Sequence, residues 1–117
     1  MIQQVWQLKS NKITQFTVSP SSFGLSPHPL SKVAGGSPSE NATTLNLLLS
    51  NQLSHENSIE NFVMINAAAL LFVAGKAESL EEGVRLARES VRSGKAEEVV
   101  RRYRDVATME IERLGTQ

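Results

Sequence analysis

Cysteine is absent from the 117 residues. Disulfides, thiolate catalysis and zinc sites built on sulfur are thereby excluded, and the composition fits a reducing compartment. An excess of either charge is also lacking. Twelve Lys plus Arg balance twelve Asp plus Glu, for a formal net charge of +0. The chain therefore has no sequence-wide basic field for nucleic acid or an anionic membrane, and neither is expected as a partner. Long hydrophobic runs are missing. The longest apolar stretch, Ala67 to Ala74, spans eight residues, where a membrane helix needs about 20. The first residues, Met1-Ile2-Gln3-Gln4, turn polar at once and carry no signal-peptide pattern. A soluble, cytoplasmic chain is expected.

What is present is ordinary for a globular protein: 40% hydrophobic and 21% charged residues. The length allows one domain at most. The first half is rich in Ser, Asn, Gln and Pro, and the second in Ala, Glu, Arg and Val. The two halves are expected to hold different kinds of structure.

Ile2 to Leu8 and Lys12 to Val18 alternate in the manner of strands. Ile2, Gln4, Trp6 and Leu8 fall on one face and Gln3, Val5 and Gln7 on the other. Lys9-Ser10-Asn11-Lys12 is a polar turn in which Asn11 tolerates a left-handed backbone. The pair predicts a β-hairpin, which is marginal alone in water and must dock on something. From Ser19 to Gly36 the chain carries Pro20, Pro27 and Pro29 together with three glycines. Regular structure is excluded there; an irregular connection anchored by Phe23, Leu25 and Leu30 is expected.

Four helices follow. Ser37-Pro38-Ser39-Glu40 reads as a capping box with proline at the first helical position. Leu45, Leu48 and Leu49 form the stripe of this first helix, and Ser50 to Asn57 a polar loop. A second helix is expected from Ser58 to Ala74, closed by Gly75 in the left-handed region. It is apolar on nearly every side, as core helices are, and suggests a larger domain around it. Ser79-Leu80-Glu81-Glu82 reads as another capping box. It opens a third helix with Leu80, Val84, Leu86, Ala87 and Val91 inward and a stop near Gly94. The last helix, Ala96 to Leu114, has Val99, Val100, Tyr103, Val106, Ala107, Ile111 and Leu114 as its apolar set.

Three stretches, in order, resemble one enzyme family. ITQFTVSPSSFGLSPHP (Ile13 to Pro29) has a strand ending in proline, then Phe23-Gly24-Leu25 and further prolines. GGSPSENA (Gly35 to Ala42) has a Gly-Gly loop leading to a Glu-Asn-Ala helix start. INAAALLFVAGKAESLEEGVRLARESVRSGKA (Ile65 to Ala96) has Asn-Ala-Ala, Ala-Gly-Lys-Ala, Glu-Gly-Val and a Ser-Gly ending. Together they resemble the C-terminal part of the anthranilate phosphoribosyltransferases. The resemblance implies an α/β parent domain, in which this chain supplies an N-terminal hairpin, an irregular loop and about four helices. Residues 1–117 are then one portion of that domain, with the hairpin at 2–18 beside a mostly parallel sheet and the helical part at 37–114. It further implies a pentosyltransferase reaction of tryptophan biosynthesis: phosphoribose passes from phosphoribosyl pyrophosphate to the amine of anthranilate. Magnesium and a homodimer belong to the parent, the dimer forming through N-terminal helices.

The family's Gly-Thr-Gly-Gly-Asp phosphate loop, Lys-His-Gly-Asn stretch and metal-binding Asp-Glu pair have no match here. The expectation is a chain that is inactive alone. It holds no catalytic, substrate-binding or metal residue and no cofactor, and its partner is the N-terminal part of the same enzyme. Phosphoribosyl pyrophosphate and anthranilate are then ligands of the intact enzyme only. A stand-alone helical interaction module and a fragment of a related nucleoside phosphorylase are the alternatives. The Phe23-Gly24-Leu25 block argues against the phosphorylase.

The remaining candidates each have a plainer reading. Gly35-Gly36 could present amides to an anion, but the capping box of Ser37 and Glu40 competes for the same end. His28 and His55 have no second ligand at metal spacing and are expected to order loops. Glu81 and Glu82 are adjacent, do not share a helix face, and suit the positive end of a helix dipole. Arg101-Arg102-Tyr103-Arg104 could touch nucleic acid, but Glu97, Glu98, Asp105, Glu110 and Glu112 cancel its field. Trp6 is expected to pack rather than stack on a ligand. Asn61 and Asn66 lie in the apolar second helix and need partners, a neighbouring loop being the expected one.

Overall fold

The computed structural model describes residues 2–115. Two antiparallel strands, β1 (Gln3–Lys9) and β2 (Lys12–Val18), form the hairpin, in register from Gln3 opposite Val18 to Lys9 opposite Lys12. Ile2 lies outside the strand. Ser10 and Asn11 both sit at positive φ, 52° and 59°, as a two-residue turn requires if its twist is to match that of the strands.

The connection after β2 is less irregular than its prolines suggest. Two short 3-10 turns, Pro20–Phe23 and Leu30–Val33, organise it. Phe23 and Leu25 are buried at 4% and 8% exposure, but Leu30 is 57% exposed and anchors nothing. The turn meets the second helix through its backbone, the Ser58 hydroxyl donating to the Lys32 carbonyl at 3.4 Å. His28 adds a second attachment, through a hydrogen bond to Asn61.

Helix α1 (Pro38–Leu49) begins as its sequence dictates. The Ser37 hydroxyl accepts from the Glu40 amide at 3.3 Å, and the Ser37 amide donates to the Glu40 carboxylate at 2.7 Å. The backbone hydrogen bond and then the hydroxyl hold the Glu40 pKa below its ordinary 4.5. A depressed carboxyl pKa stabilises above the ordinary value and loses its effect as pH falls through the folded one. The α1 start is therefore expected to loosen below pH 4.5, seen as lower protection of the Ser37 amide from exchange, relative to the unfolded chain at the same pH. Ser37→Ala is expected to cost about 1 kcal/mol in chemical denaturation. A variant as stable as the parent chain would remove the capping account.

Helix α2 (Ser58–Val73) is capped by Asn57, whose side-chain oxygen accepts from the Ile59 and Glu60 amides at 2.9 and 3.2 Å. Gly75 follows at φ 74°. Helix α3 (Leu80–Arg92) starts with half of the expected capping box. The Ser79 hydroxyl accepts from the Glu82 amide at 3.0 Å, but the Glu82 carboxylate reaches past Ser79 to the amide of Glu78 at 2.9 Å. Helix α4 (Lys95–Gly115) follows after Gly94.

Phe23, Leu25, Leu48, Met64, Ala68, Val84 and Ala87 form the core. They place α2 at the centre, α3 across it and the Phe23 turn on the seam. At the crossing, Gly83 lies against the backbone of Ala68, so the absence of a side chain sets the approach. The apolar set of α4 has no such partner. Val99, Tyr103, Val106, Ile111 and Leu114 are exposed, and no residue of α4 is buried.

The hairpin and α4 stand away from this small core. The radius of gyration is 16.9 Å over extents of 51 × 36 × 26 Å, where a packed domain of this length has about 13 Å. The accessible surface is 8673 Å², against about 6,300 Å² for a compact monomer of this mass.

Candidate functional site

Buried charge is uncommon in so small a core, and among the described residues it is found in one place. Glu60, in the first turn of α2, is 5% exposed, and its neighbour Asn61 is 2% exposed. Arg88 of α3 meets the Glu60 carboxylate in a fork, Nε to Oε1 at 3.1 Å and Nη2 to Oε2 at 3.3 Å. The same Nη2 donates to the His55 carbonyl at 3.3 Å. The amide of Asn61 is oriented by its neighbours. Its nitrogen donates to the His55 carbonyl at 2.8 Å and to Glu60 Oε2 at 3.0 Å, and its oxygen accepts from His28 Nε2 at 3.0 Å.

The cluster ties two loops to two helices. His28 belongs to the proline-rich connection and His55 to the loop between α1 and α2. Among the described residues no buried side-chain polar atom is left without a partner. Carboxylate, guanidinium and amide are all engaged, so the cluster positions backbone and leaves no group poised to react.

The described residues also form grooves, one of them against this cluster. One of about 480 Å³ lies under the Phe23 turn and is lined by Leu48, His55, Glu60, Met64, Val84 and Arg88, among others. Its arginines are matched by acids: Arg85 with Glu82 at 3.8 Å, Arg88 with Glu60, and Arg92 with Glu89. The other groove, about 680 Å³, runs between the hairpin and the C-terminal half of α2. Val5, Trp6, Phe16, Ile65, Phe72 and Val73 are among its walls.

The candidates from the sequence resolve as follows. The amide and carbonyl of Gly36 are taken by the Asn41 side chain at 2.9 and 3.2 Å, and the Ser37 amide by Glu40, so that end of α1 is closed by its own residues. His28 orders a loop; His55 contributes its carbonyl. Glu82 serves the start of α3, and Glu81 lies beside Gly24. Arg101, Arg102, Tyr103 and Arg104 are exposed on α4, with Arg104 3.7 Å from Asp105. Arg113 pairs with Glu110; that hydrogen bond lowers the Glu110 pKa and raises that of Arg113. Trp6 is 63% exposed on a groove wall, not packed. Asn61 does reach neighbouring loops. Asn66 does not: it is exposed and donates to the Phe62 carbonyl of its own helix at 2.8 Å.

Sequence reading passed over Glu60 and Arg88. A lone acid in a helix that is otherwise apolar was the available signal, but a first-turn acid is also ordinary dipole complementation. Its partner, 28 residues away, had no local mark.

Among the described residues no group of three or more His, Asp or Glu side chains is placed to hold a metal ion, and no helix is long and apolar enough to cross a membrane.

The family match covers the hairpin and helices α1 to α3. Residues 2–97 match the glycosyl transferase family, a/b domain. The anthranilate phosphoribosyltransferase of Schizosaccharomyces pombe is 50% identical over 91 residues, which is 78% of this chain and 26% of that protein. The Natronomonas pharaonis enzyme of the same name is 40% identical over 92 residues, 79% of this chain and 27% of that one. The solved structure of the Saccharomyces cerevisiae anthranilate phosphoribosyltransferase in complex with 4-fluoroanthranilate superposes with a TM-score of 0.84 at 32% identity. It covers 93% of this chain and 31% of the other. Its complex with PRPP and Mg gives 0.74 at 34% identity, over 82% and 27%. The chain thus spans about a quarter of the length of the curated relatives it matches.

Proposed function

The chain belongs to the glycosyl transferase family, a/b domain, and from that membership we propose that it forms the C-terminal portion of an anthranilate phosphoribosyltransferase. In the intact enzyme, phosphoribose passes from phosphoribosyl pyrophosphate to the amine of anthranilate, releasing pyrophosphate. Residues 1–117 act as one part of the α/β domain, with the hairpin at 2–18 and the helical part at 37–114. They complete and support a site whose reacting groups lie in the rest of the enzyme. The observation that carries this reading is the 50% identity over 91 residues with the Schizosaccharomyces pombe enzyme.

The polar cluster fits a supporting role, because it fixes two loops against α2 and α3 and keeps no open valence for chemistry. The Mg named with the Saccharomyces cerevisiae structure finds no donor set among the described residues, and no step is routed through it. The partners of the proposal are the remainder of the enzyme and, through regions outside this chain, a second copy of the whole. Cytoplasmic placement belongs to the same proposal and rests on tryptophan synthesis.

The purified chain, given phosphoribosyl pyrophosphate, anthranilate and magnesium, is expected to form no phosphoribosyl-anthranilate above a blank. The assay follows the loss of anthranilate fluorescence. Clear turnover would demand a site that these residues do not form, and the supporting role would be abandoned.

A further inference from the structure

The parent reading leaves open which surface joins this chain to the rest of the enzyme. We propose that the apolar groove between the hairpin and the C-terminal half of α2 is that seam, and that its occupant is the remainder of the parent α/β domain. This inference rests on the function proposed above.

Area makes the first argument. The chain exposes about 2,400 Å² more than a compact monomer of its mass, which is the scale of a permanent interface rather than of a transient contact. The relatives supply an occupant large enough, since about three quarters of their length lies outside the match.

Place makes the second. Helix α2 is apolar on nearly every side, yet Val73 on this wall of the groove is 81% exposed. Across the groove Trp6 is 63% and Leu8 72% exposed, and on the strand opposite Leu8, Ile13 is 68% exposed. A two-stranded sheet with apolar side chains on both faces is built to be covered on both. Helix α4 is also uncovered, but the family match takes in both walls of the groove and stops at residue 97, in the first turn of α4.

The test compares one set of substitutions in two settings: the full chain alone, and a chimera in which residues 2–97 replace the matching stretch of the Schizosaccharomyces pombe enzyme. Trp6→Lys and Val73→Lys alter side chains that are solvated in the chain, so its melting temperature should hardly change. In the chimera each should lower it by about 5 °C or more, while Thr43→Lys, an exposed polar control outside the groove, should not. An active chimera insensitive at both groove positions overturns the seam and leaves the function standing. An unfolded or inactive chimera overturns both readings. A stable dimer of the isolated chain that Trp6→Lys dissolves assigns the groove to a second copy and overturns the seam.

Discussion

Arg88→Ala is expected to destabilise the chain by about 3 kcal/mol, the lower end of the range for breaking a buried pair. The lower end applies because the Arg88 side chain keeps 26% of its surface in water while that of Glu60 keeps 6%. The loss comes less from the attraction than from the carboxylate left behind. Glu60 would be held in the core with only the Asn61 amide facing it, and the His55 carbonyl would lose one of its two donors. The His55 loop would then be held to α2 by Asn61 alone. Urea denaturation of the two chains measures the difference. Replacing both partners, as Arg88→Met with Glu60→Leu, removes the stranded charge and should recover more than half of the loss. A single variant within about 1 kcal/mol of the parent chain would mean that water already solvates Glu60, and the clamp would be withdrawn.

Gly83→Val is expected to be comparably severe. A Cβ at Gly83 would stand 2.8 Å from the Ala68 Cα, 2.8 Å from its carbonyl oxygen and 2.9 Å from its Cβ. Two of these atoms are backbone of the central helix and cannot swing aside. Two effects oppose each other. Alanine in place of glycine gains about 1 kcal/mol of helix propensity, and overpacking costs about 1–3 kcal/mol. For alanine the balance should be a small loss. Valine gains less propensity and adds two further methyl groups at the closest point between α2 and α3, so the helices must separate along their main contact. A loss of about 3 kcal/mol, or more than about 10 °C in melting temperature, is expected. If the valine chain melts with the parent, the crossing is looser than the geometry shows.

These two sites mark where the sequence was not legible. Ends of elements were readable because they are local. Ser37 and Glu40 lie three residues apart and close on each other by their own reach, and the Ser10-Asn11 turn follows from short-range sterics. Periodicity placed α2 and α3 for the same reason. Errors fell where burial depended on neighbours distant in the chain. Leu30 reads as an anchor because it is apolar in a loop, yet it is 57% exposed. The apolar arc of α4 was legible, but whether anything packs on it is not a property of α4. Glu60 reads as an ordinary first-turn acid until Arg88 is brought beside it.

The sequence by itself determined the two strands and four helices, the hairpin turn and the α1 cap, and through its three ordered stretches the family. These are decided within a few residues or by identity along the chain. The tertiary structure alone decided which charge is buried, which histidine is a tether, that Gly83 is the contact point of two helices, and that the hairpin and α4 stand uncovered. Each depends on what another segment places within a few ångströms, and desolvation and close packing act only at that range.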